Sequence, residues 1–465
     1  MIFAGHDRRP RRAAFCLNLI GVLGLLVSGA AAQIPTSRHF PRGTRAVGIP
    51  HVPGVNGRLL RRITPIFETS IADGDFPGAV VLAVHRGHVI YRGVFGSRSI
   101  VPRIRPMRFN TIFDLASLTK VIATTPAIMQ LLQEGRLQLD APVAQYWPAF
   151  ARHGKGQVTI RELMTHFSGL PPDIPSPELL YLMGHGPTGF PGFPPAQNVD
   201  HAWHGLAAAL HLIEQVRLIH PPGQQFVYSD INFIVLGYLV RRITGEPLNV
   251  YDAHHVFMPL DMRSTMFLPP RSLRPRIAPT QVIEGHLRWG QVHDPTAAAM
   301  GGVSGMAGLF SDASDLGRYA QCLLNGGVLT LPARSGGTRR VRILGPLTIR
   351  KMISPQSPAG NPEIRGLGWD LDSGFTNRGV LFPFGSYGHT GWTGPSIWID
   401  PVTQTYLIIM ASRCHPQPLP HGDALIAIRR EVANIVAASL DDQPVLGPSN
   451  TGAGELFRAY PRSRP

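Results

Sequence analysis

Two short apolar runs near the start of the chain predict a β-hairpin. Residues 78–85 and 89–95 are rich in Val, Ile and aromatic side chains, and a tight turn at Arg86-Gly87 separates them. The preceding residues 57–72 carry apolar side chains at helical spacing, with Pro65 interrupting the pattern. The first part of the chain is therefore predicted to fold as a helix followed by an antiparallel hairpin.

Strand patterns return only near the other end of the chain. Residues about 118–300 show helical patterns broken by Pro and Gly loops, whereas residues 368–370, 396–400 and 405–411 read as strands. A last amphipathic helix follows, with one apolar face. This order predicts an α+β fold, in which an antiparallel sheet built from both chain ends is flanked by helices and carries a mostly helical inserted domain. A cleft between sheet and insert is the expected place for a site. The face of the last helix consists of Leu425, Ile428, Val432, Ile435 and Val436.

The first 32 residues have the pattern of an export signal. Four arginines between residues 8 and 12 precede an apolar run at 15–27, and three alanines at 30–32 offer a cleavage site. Cleavage would place the mature protein in the periplasm or outside the cell. An uncleaved membrane anchor is the alternative, although the apolar run is short for a membrane-spanning helix.

The rest of the chain divides by composition. Residues 33–56 are rich in Pro, Gly and Arg and are predicted to be a linker or extended arm. Residues 57–440 form the expected catalytic region, and the polar, Pro-rich residues 441–465 are predicted to be a flexible tail. Inside the region, the Pro-, Gly- and aromatic-rich segment at about 171–200 is typical of a lid or binding loop.

Composition narrows the function classes. The 465 residues are 44% hydrophobic and 16% charged, which suits a folded chain with a large core and argues against disorder. The formal charge is +15, but the arginines are scattered except for a short cluster at 339–342. Nucleic-acid binding favours a clustered basic stripe with aromatic residues between, so no nucleic-acid partner is predicted. Weak association with anionic polymers of the cell envelope stays open.

Two cysteines, Cys322 and Cys414, remain once the export signal is removed. An exported protein could pair them, and two buried free thiols fit the sequence equally well.

The first candidate for chemistry is the segment Ser117-Leu118-Thr119-Lys120. At a helix start, residues three apart share a face, so the lysine amine can reach the serine hydroxyl and accept its proton. The chain contains only three lysines, and Lys120 precedes the apolar run Val121-Ile122-Ala123. A lysine can lose its proton near neutral pH, which an arginine cannot. A serine helix cap with a solvent-exposed lysine is the alternative.

Two further segments carry polar groups at element boundaries. Tyr228-Ser229-Asp230 lies between a Pro-Pro-Gly loop and a helix-like run, where a phenol near an ammonium could relay a proton. His389-Thr390-Gly391, followed by Trp392, precedes a predicted strand, whose edge offers amides for an oxyanion. Taken singly, each is more typical of structure: a helix cap for Asp230 or Ser229, and a turn for residues 389–391.

In this order and with these separations, the three segments resemble the penicillin-recognising serine hydrolases. That family contains class C β-lactamases, D-alanyl-D-alanine carboxypeptidases and the related family VIII-type carboxylesterases, and the resemblance covers residues of about 57 to 440. Other segments also resemble the family, namely residues 76–79, 135–143, 158–171, 292–295 and 301–310.

The resemblance implies a β-lactamase or penicillin-binding-protein-like fold and a role for each matching residue. Ser117 would be the acylated nucleophile, Lys120 the base or proton relay, and Tyr228 the donor to the leaving group. The backbone amides of Ser117 and Trp392 would form the oxyanion hole. Four residues would bind substrate: Asp230, His389, Thr390 and Gly391.

Two residues depart from the family pattern. The second segment commonly ends in Asn, whereas Asp230 accepts hydrogen bonds, donates none when ionised, and would hold Lys120 protonated. The third often begins with Lys, and His389 is not a permanent cation. The carboxylate at residue 230 weakens the case for β-lactam and peptide substrates and leaves esters open. The histidine is a known variation in the family, including among its peptidases, and would make recognition of a substrate carboxylate weaker or pH-dependent.

The sequence therefore predicts an exported serine hydrolase that cleaves an amide or ester through an acyl-enzyme on Ser117. Its partner would be a small-molecule or peptidoglycan-like acyl substrate: a D-alanyl peptide, a β-lactam or an ester. No metal-ligand pattern and no phosphate loop occur in the sequence, so no metal or cofactor is predicted. The alternatives are a carboxylesterase without β-lactam turnover and a non-catalytic binding or sensor protein that retains the fold.

Overall fold

A computed structural model describes residues 43–174, 204–283, 285–333, 336–418 and 423–441. The predicted export signal, the flexible tail and nearly all of the predicted lid at 171–200 lie outside these ranges. No helix in the described ranges has the length and apolar character needed to cross a membrane.

A nine-stranded antiparallel sheet joins the two ends of the described chain. The hairpin strand β2 (Gly78–His85) pairs with β3 (His88–Ser99) on one side and with β16 (Thr405–Ala411) on the other, so residues about 325 positions apart are hydrogen-bonded neighbours. Every residue of β2 is buried, because helices cover both faces of the sheet. The strands of this sheet are β1 (Thr44–Gly48), β2 (Gly78–His85), β3 (His88–Ser99), β4 (Arg105–Pro106), β12 (Ile364–Arg365), β13 (Asp370–Asp372), β14 (Tyr387–Thr390), β15 (Ser396–Asp400) and β16 (Thr405–Ala411).

Helices from both chain ends cover one face of the sheet. The α-helices Gly57–Leu60 (α1) and Ile63–Ala72 (α2) pack there with the C-terminal helix Asp423–Ala438. The ring of Phe67 stacks on that of Phe95 with 5.0 Å between centroids, which ties α2 to the hairpin. The predicted single helix at 57–72 is divided into α1 and α2.

The larger core lies against the other face, where the sheet meets the inserted helices. The predicted α+β class is confirmed by this arrangement. The α-helices on this side are Thr125–Gln133 (α3), Val143–Tyr146 (α4), Ile160–Thr165 (α5), Leu206–Gln215 (α6), Asp230–Thr244 (α7), Leu248–Asp252 (α8), Pro295–Ala299 (α9), Ala313–Leu324 (α10) and Pro346–Ile353 (α11).

Smaller elements complete the described chain. The 3₁₀ helices are Ala116–Leu118, Pro148–Gln157 and Arg271–Arg276, and the π-helices are Lys120–Thr124 and Ala253–Phe257. The small sheets contain β5 (Phe113–Asp114), β6 (Met266–Phe267), β7 (Val282–Ile283), β8 (His286–Leu287), β9 (Leu309–Ser311), β10 (Val328–Pro332) and β11 (Thr338–Arg342).

Two segments differ from their sequence-based prediction. Part of the predicted linker, Thr44–Gly48, forms the edge strand β1. Its backbone pairs with β3 in a register that places Thr44 opposite Gly96. Residues 389 and 390 are the end of strand β14 rather than the turn that the isolated motif favours. The pairing of β1 depends on a partner strand about 50 positions further along the chain, which a local pattern does not reveal.

Both described cysteines are buried free thiols. Neither Cys322 nor Cys414 forms a disulfide, and burial raises the pKa of each thiol to about 12. Of the two alternatives left open by the sequence, the structure has the free thiols.

Candidate active site

The nucleophile candidate lies on a strained turn between β5 and the inserted helices. Ser117 is partly buried in the 3₁₀ turn, and Ala116 before it has a φ of 45°, which is uncommon for a residue with a Cβ. The carboxylate of Asp114 accepts the amides of Ala116 at 2.8 Å and His293 at 2.6 Å. These bonds hold the turn in a conformation that its own residues disfavour.

Lys120 is fully buried one turn later and donates towards Ser117. Its Nζ lies 3.0 Å from Ser117 Oγ, 3.0 Å from the carbonyl oxygen of Met306, and 2.6 Å from Asp230 Oδ1. The predicted serine–lysine contact is therefore formed. The alternative of a solvent-exposed lysine does not describe this residue.

Two opposing effects act on the Lys120 amine. Burial lowers its pKa, but the Asp230 carboxylate and the Tyr228 hydroxyl favour the ammonium, and together they raise the pKa. The predicted effect of Asp230 on the charge of Lys120 agrees with this geometry. In the resting site, Lys120 is an ammonium that donates to the serine oxygen.

Neighbouring carboxyl groups leave Asp230 as the counter-ion of Lys120. Burial and repulsion by Asp230 raise the pKa of Asp294 to about 7. Burial, with repulsion from the same two aspartates, raises the pKa of Asp173 well above its usual range. Neighbouring carboxylates repel one another, so Asp173 and Asp294, the two buried neighbours, take up protons more readily.

Tyr228 lies in the loop that leads into α7, beside the amine. Its ring centroid is 5.2 Å from Lys120 Nζ, and its hydroxyl is among the groups that raise the pKa of that amine. The ring of Phe375, which is 50% exposed, lies 5.4 Å from that of Tyr228. An aromatic rim therefore borders the reacting groups on the solvent side.

The end of strand β14 packs directly against the serine turn. A Cβ added to Gly391 would lie 2.2 Å from the carbonyl oxygen of Leu115, so only glycine permits this approach. Thr393 Oγ1 also donates to the carbonyl oxygen of Asp114 at 2.7 Å. The two amides predicted as an oxyanion hole, those of Ser117 and Trp392, belong to these adjoining segments.

His389 is buried next to the same site and is neutral. Its Nδ1 donates to the carbonyl oxygen of Thr390 at 2.9 Å. Burial, with repulsion from Arg365 and Lys120, lowers the pKa of His389 well below its usual value. The third segment therefore presents no permanent cation for a substrate carboxylate, as its histidine predicts.

The structure brings together all the candidate residues and adds others that sequence reasoning missed. The carbonyl of Met306 holds Lys120, the buried Arg365 influences His389, and the ring of His166 stacks on Tyr228. Met306 and His166 lie in segments that resemble the family, but nothing in their spacing indicated a contact with the site. No group of three or more His, Cys, Asp or Glu able to hold a metal occurs among the described residues.

Comparison with known proteins agrees with this arrangement. The Beta-lactamase family model matches residues 63–430. A protein of Escherichia coli O157:H7 named "Putative D-alanyl-D-alanine carboxypeptidase" is 30% identical over 413 residues, which cover 79% of this chain and 88% of that protein.

Two solved structures share the fold at lower identity. A penicillin-binding protein homologue from Caulobacter crescentus has a TM-score of 0.61 and 21% identity, covering 85% of this chain and 100% of that one. EstCE1, described as a hydrolase with promiscuous acyltransferase activity, has a TM-score of 0.60 and 23% identity, covering 81% and 98%. The resemblance noted in the sequence is confirmed: the chain belongs to the Beta-lactamase family and is a serine hydrolase.

Proposed function

We propose that the protein cleaves an amide or ester acyl bond through a covalent acyl-enzyme on Ser117. The observation that carries this proposal is the position of Lys120 Nζ, 3.0 Å from Ser117 Oγ and 5.2 Å from the centroid of the Tyr228 ring. A serine hydroxyl becomes a nucleophile when a base within hydrogen-bond reach takes its proton.

In the proposed acylation, the unprotonated fraction of Lys120 accepts the Ser117 proton as Oγ bonds to the acyl carbon. The bond from that carbon to the leaving group then breaks, and the Tyr228 hydroxyl protonates the departing atom. Lys120 then returns a proton to the neighbouring Tyr228 oxygen, so the proton count balances. Water hydrolyses the acyl-enzyme by the same groups used in reverse.

The developing negative charge on the acyl oxygen requires fixed donors. We assign this role to the amides of Ser117 and Trp392, whose segments are held together by the close approach of Gly391 to Leu115. Removing one such donor costs about a hundredfold or more in rate in serine hydrolases.

The substrate is an acyl compound, and a second candidate narrows it to an ester without β-lactam turnover. Asp230 presents a carboxylate, which cannot donate to a substrate amide carbonyl. His389 is neutral, so a substrate carboxylate gains no permanent positive partner there. Both features favour esters over D-alanyl peptides and β-lactams, although the curated relative carries a carboxypeptidase name. His389, Thr390, Gly391 and Asp230 remain the proposed substrate-binding residues.

Intact mass spectrometry tests the acyl-enzyme. The protein is incubated separately with a nitrophenyl ester and with a penicillin, and we expect an acyl adduct that is absent in Ser117→Ala. Ser314→Ala removes a serine at the start of α10 and serves as the matched control. A wild-type protein that gains no adduct and hydrolyses neither compound would support the binding or sensor alternative. An adduct that persists in Ser117→Ala would contradict the proposed nucleophile.

We also propose that the protein is exported by residues 1–32 and works in the periplasm or outside the cell. Expression of the full chain in a bacterium, followed by N-terminal sequencing, should give a mature chain that begins at Gln33. A protein retained in the membrane with its first residues intact would instead support the anchor alternative. Cleavage removes four arginines and one aspartate and leaves a net charge of +12, which supports weak association with anionic envelope polymers that salt should abolish.

A further inference from the structure

His166 holds the backbone on both sides of Tyr228. The carbonyl oxygen of His166 accepts the amide of Val227 at 3.0 Å, and its ring Nδ1 accepts the amide of Ser229 at 3.1 Å. One buried residue at the end of α5 therefore accepts hydrogen bonds from the loop immediately before and immediately after the tyrosine.

The hydrogen bonds around His166 define its tautomer. Ser168 Oγ donates to Asn232 Oδ1 at 2.6 Å, so the Asn232 Nδ2 group faces His166 Nδ1 at 3.2 Å. Two N–H donors therefore converge on Nδ1, which must be the unprotonated nitrogen. Burial, with repulsion from Arg365 and Lys120, lowers the pKa of His166 well below its usual value and agrees with a neutral ring.

The ring of His166 also fixes the tyrosine side chain. It stacks on the Tyr228 ring with 4.4 Å between centroids and 26° between planes, and the Phe233 ring lies 5.3 Å from the imidazole. Rotation of the phenol away from Lys120 would break this stack.

The second ring nitrogen of His166, Nε2, helps to identify which property of histidine matters at this position. Nε2 is buried and has no hydrogen-bond partner among the described residues. An unpaired buried donor is unfavourable, and a phenyl ring of similar shape would avoid that cost. What a phenyl ring lacks is the acceptor at Nδ1, so that acceptor is the property that distinguishes histidine at this position.

We propose that His166 is a positioning residue that holds Tyr228 in its proton-donating orientation through the Nδ1 acceptor. The inference rests on the proposed acyl-enzyme chemistry, in which Tyr228 protonates the leaving group. His166 acts through Tyr228 and the 227–229 backbone.

Two substitutions separate the acceptor from the ring. His166→Phe keeps a stacking ring and removes the acceptor. His166→Asn removes the ring but places Oδ1 near the position of Nδ1, and asparagine tolerates the φ of 64° at this residue. We expect the acylation rate constant for a nitrophenyl ester to fall about 10- to 100-fold in His166→Phe. His166→Asn should stay within about fivefold of wild type, and ester binding should be little changed in either.

A double-mutant cycle with Tyr228→Phe provides a readout that general loss of structure would not produce. If His166 acts through the phenol, adding His166→Phe to Tyr228→Phe should slow acylation by less than about threefold. The matched control is His85→Phe, which removes a buried histidine whose Nδ1 bonds Thr405 Oγ1 at 2.9 Å, at the far end of β2. Acylation by this control should match wild type.

The outcomes are distinct. Should His166→Phe fail to fold, His166→Gly suits the same φ, removes both ring and acceptor, and should slow acylation at least as much. Wild-type rates in His166→Phe, or full loss again in the Tyr228→Phe background, would overturn the positioning role alone. Absence of a Ser117 adduct in the wild type would overturn the acyl-enzyme, and the positioning role with it.

Discussion

Replacing Asp230 with asparagine tests how the charge of Lys120 is set. The carboxylate lies 2.6 Å from Lys120 Nζ, and Asp230→Asn removes that charge while keeping the side-chain shape. Burial lowers the pKa of Lys120 and the ion pair raises it, so loss of the ion pair should lower that pKa. Acylation requires the unprotonated amine, so we expect the rising limb of the pH–rate curve to move to lower pH.

The size of the shift follows from the distance and the exposure. Two unit charges 2.6 Å apart attract by about 6 kcal/mol at an effective dielectric constant of about 20. The Asp230 side chain is 22% exposed, so water weakens this attraction. An opposite charge at close range usually moves a pKa by about 1 to 3 pH units, and each pH unit corresponds to about 1.4 kcal/mol. The midpoint of the curve should therefore fall by roughly 1 to 3 pH units, and acylation at neutral pH should become about tenfold faster or more.

The assay is stopped-flow acylation by a nitrophenyl ester between about pH 6 and 10, and the rates of wild type and Asp230→Asn are compared at each pH, because the raised pKa of Lys120 places the wild-type midpoint above this range. Asp140→Asn is the matched control, because it removes an exposed carboxylate that pairs with Arg161 on the surface. The control curve should overlay that of wild type. An Asp230→Asn enzyme that acylates no faster than wild type at any pH in this range would refute Lys120 as the proton acceptor.

Three further predictions concern the close approach of Gly391, the buried Asp252 and the two buried cysteines. Gly391→Ala should slow acylation about a hundredfold with the fold retained, because its Cβ would displace β14 from the serine turn; an unchanged rate would place the oxyanion donors elsewhere. Asp252 is fully buried, and burial raises its pKa, so the folded state keeps a proton that the unfolded chain loses above about pH 4. The contribution of Asp252 to stability should therefore fall as pH rises. In urea unfolding, the free energy of unfolding of Asp252→Asn should vary less with pH than that of wild type. The surface variant Asp261→Asn is the control and should not show this flattening. Cys322 and Cys414 should react with a thiol reagent only after unfolding, and mass spectrometry of the native protein should show neither labelled.

The architecture was accessible from sequence because strands and amphipathic helices are local patterns. The hairpin at 78–85 and 89–95 and the strands at 396–400 and 405–411 match the structure closely, since their apolar runs and turn residues specify them without a partner. Strand β1 was not predicted, because its polar, Pro-flanked sequence becomes a strand only by pairing with β3.

The sequence by itself determined which chemical groups the site contains. Ser117 and Lys120 are one turn apart in the chain, so their contact follows from helical spacing alone. The carboxylate at residue 230 and the histidine at 389 also state, by their chemistry, that one site residue is an anion and another is not a permanent cation.

Only the tertiary structure decided how these groups influence one another. The ammonium state of Lys120 depends on the competition between burial and the Asp230 charge, and the neutral state of His389 depends on burial near Arg365 and Lys120. The support of Tyr228 by His166 joins residues 62 positions apart. Burial, charge proximity and ring stacking act between residues that the fold brings together, and their strengths depend on distances in space that the order of residues does not contain.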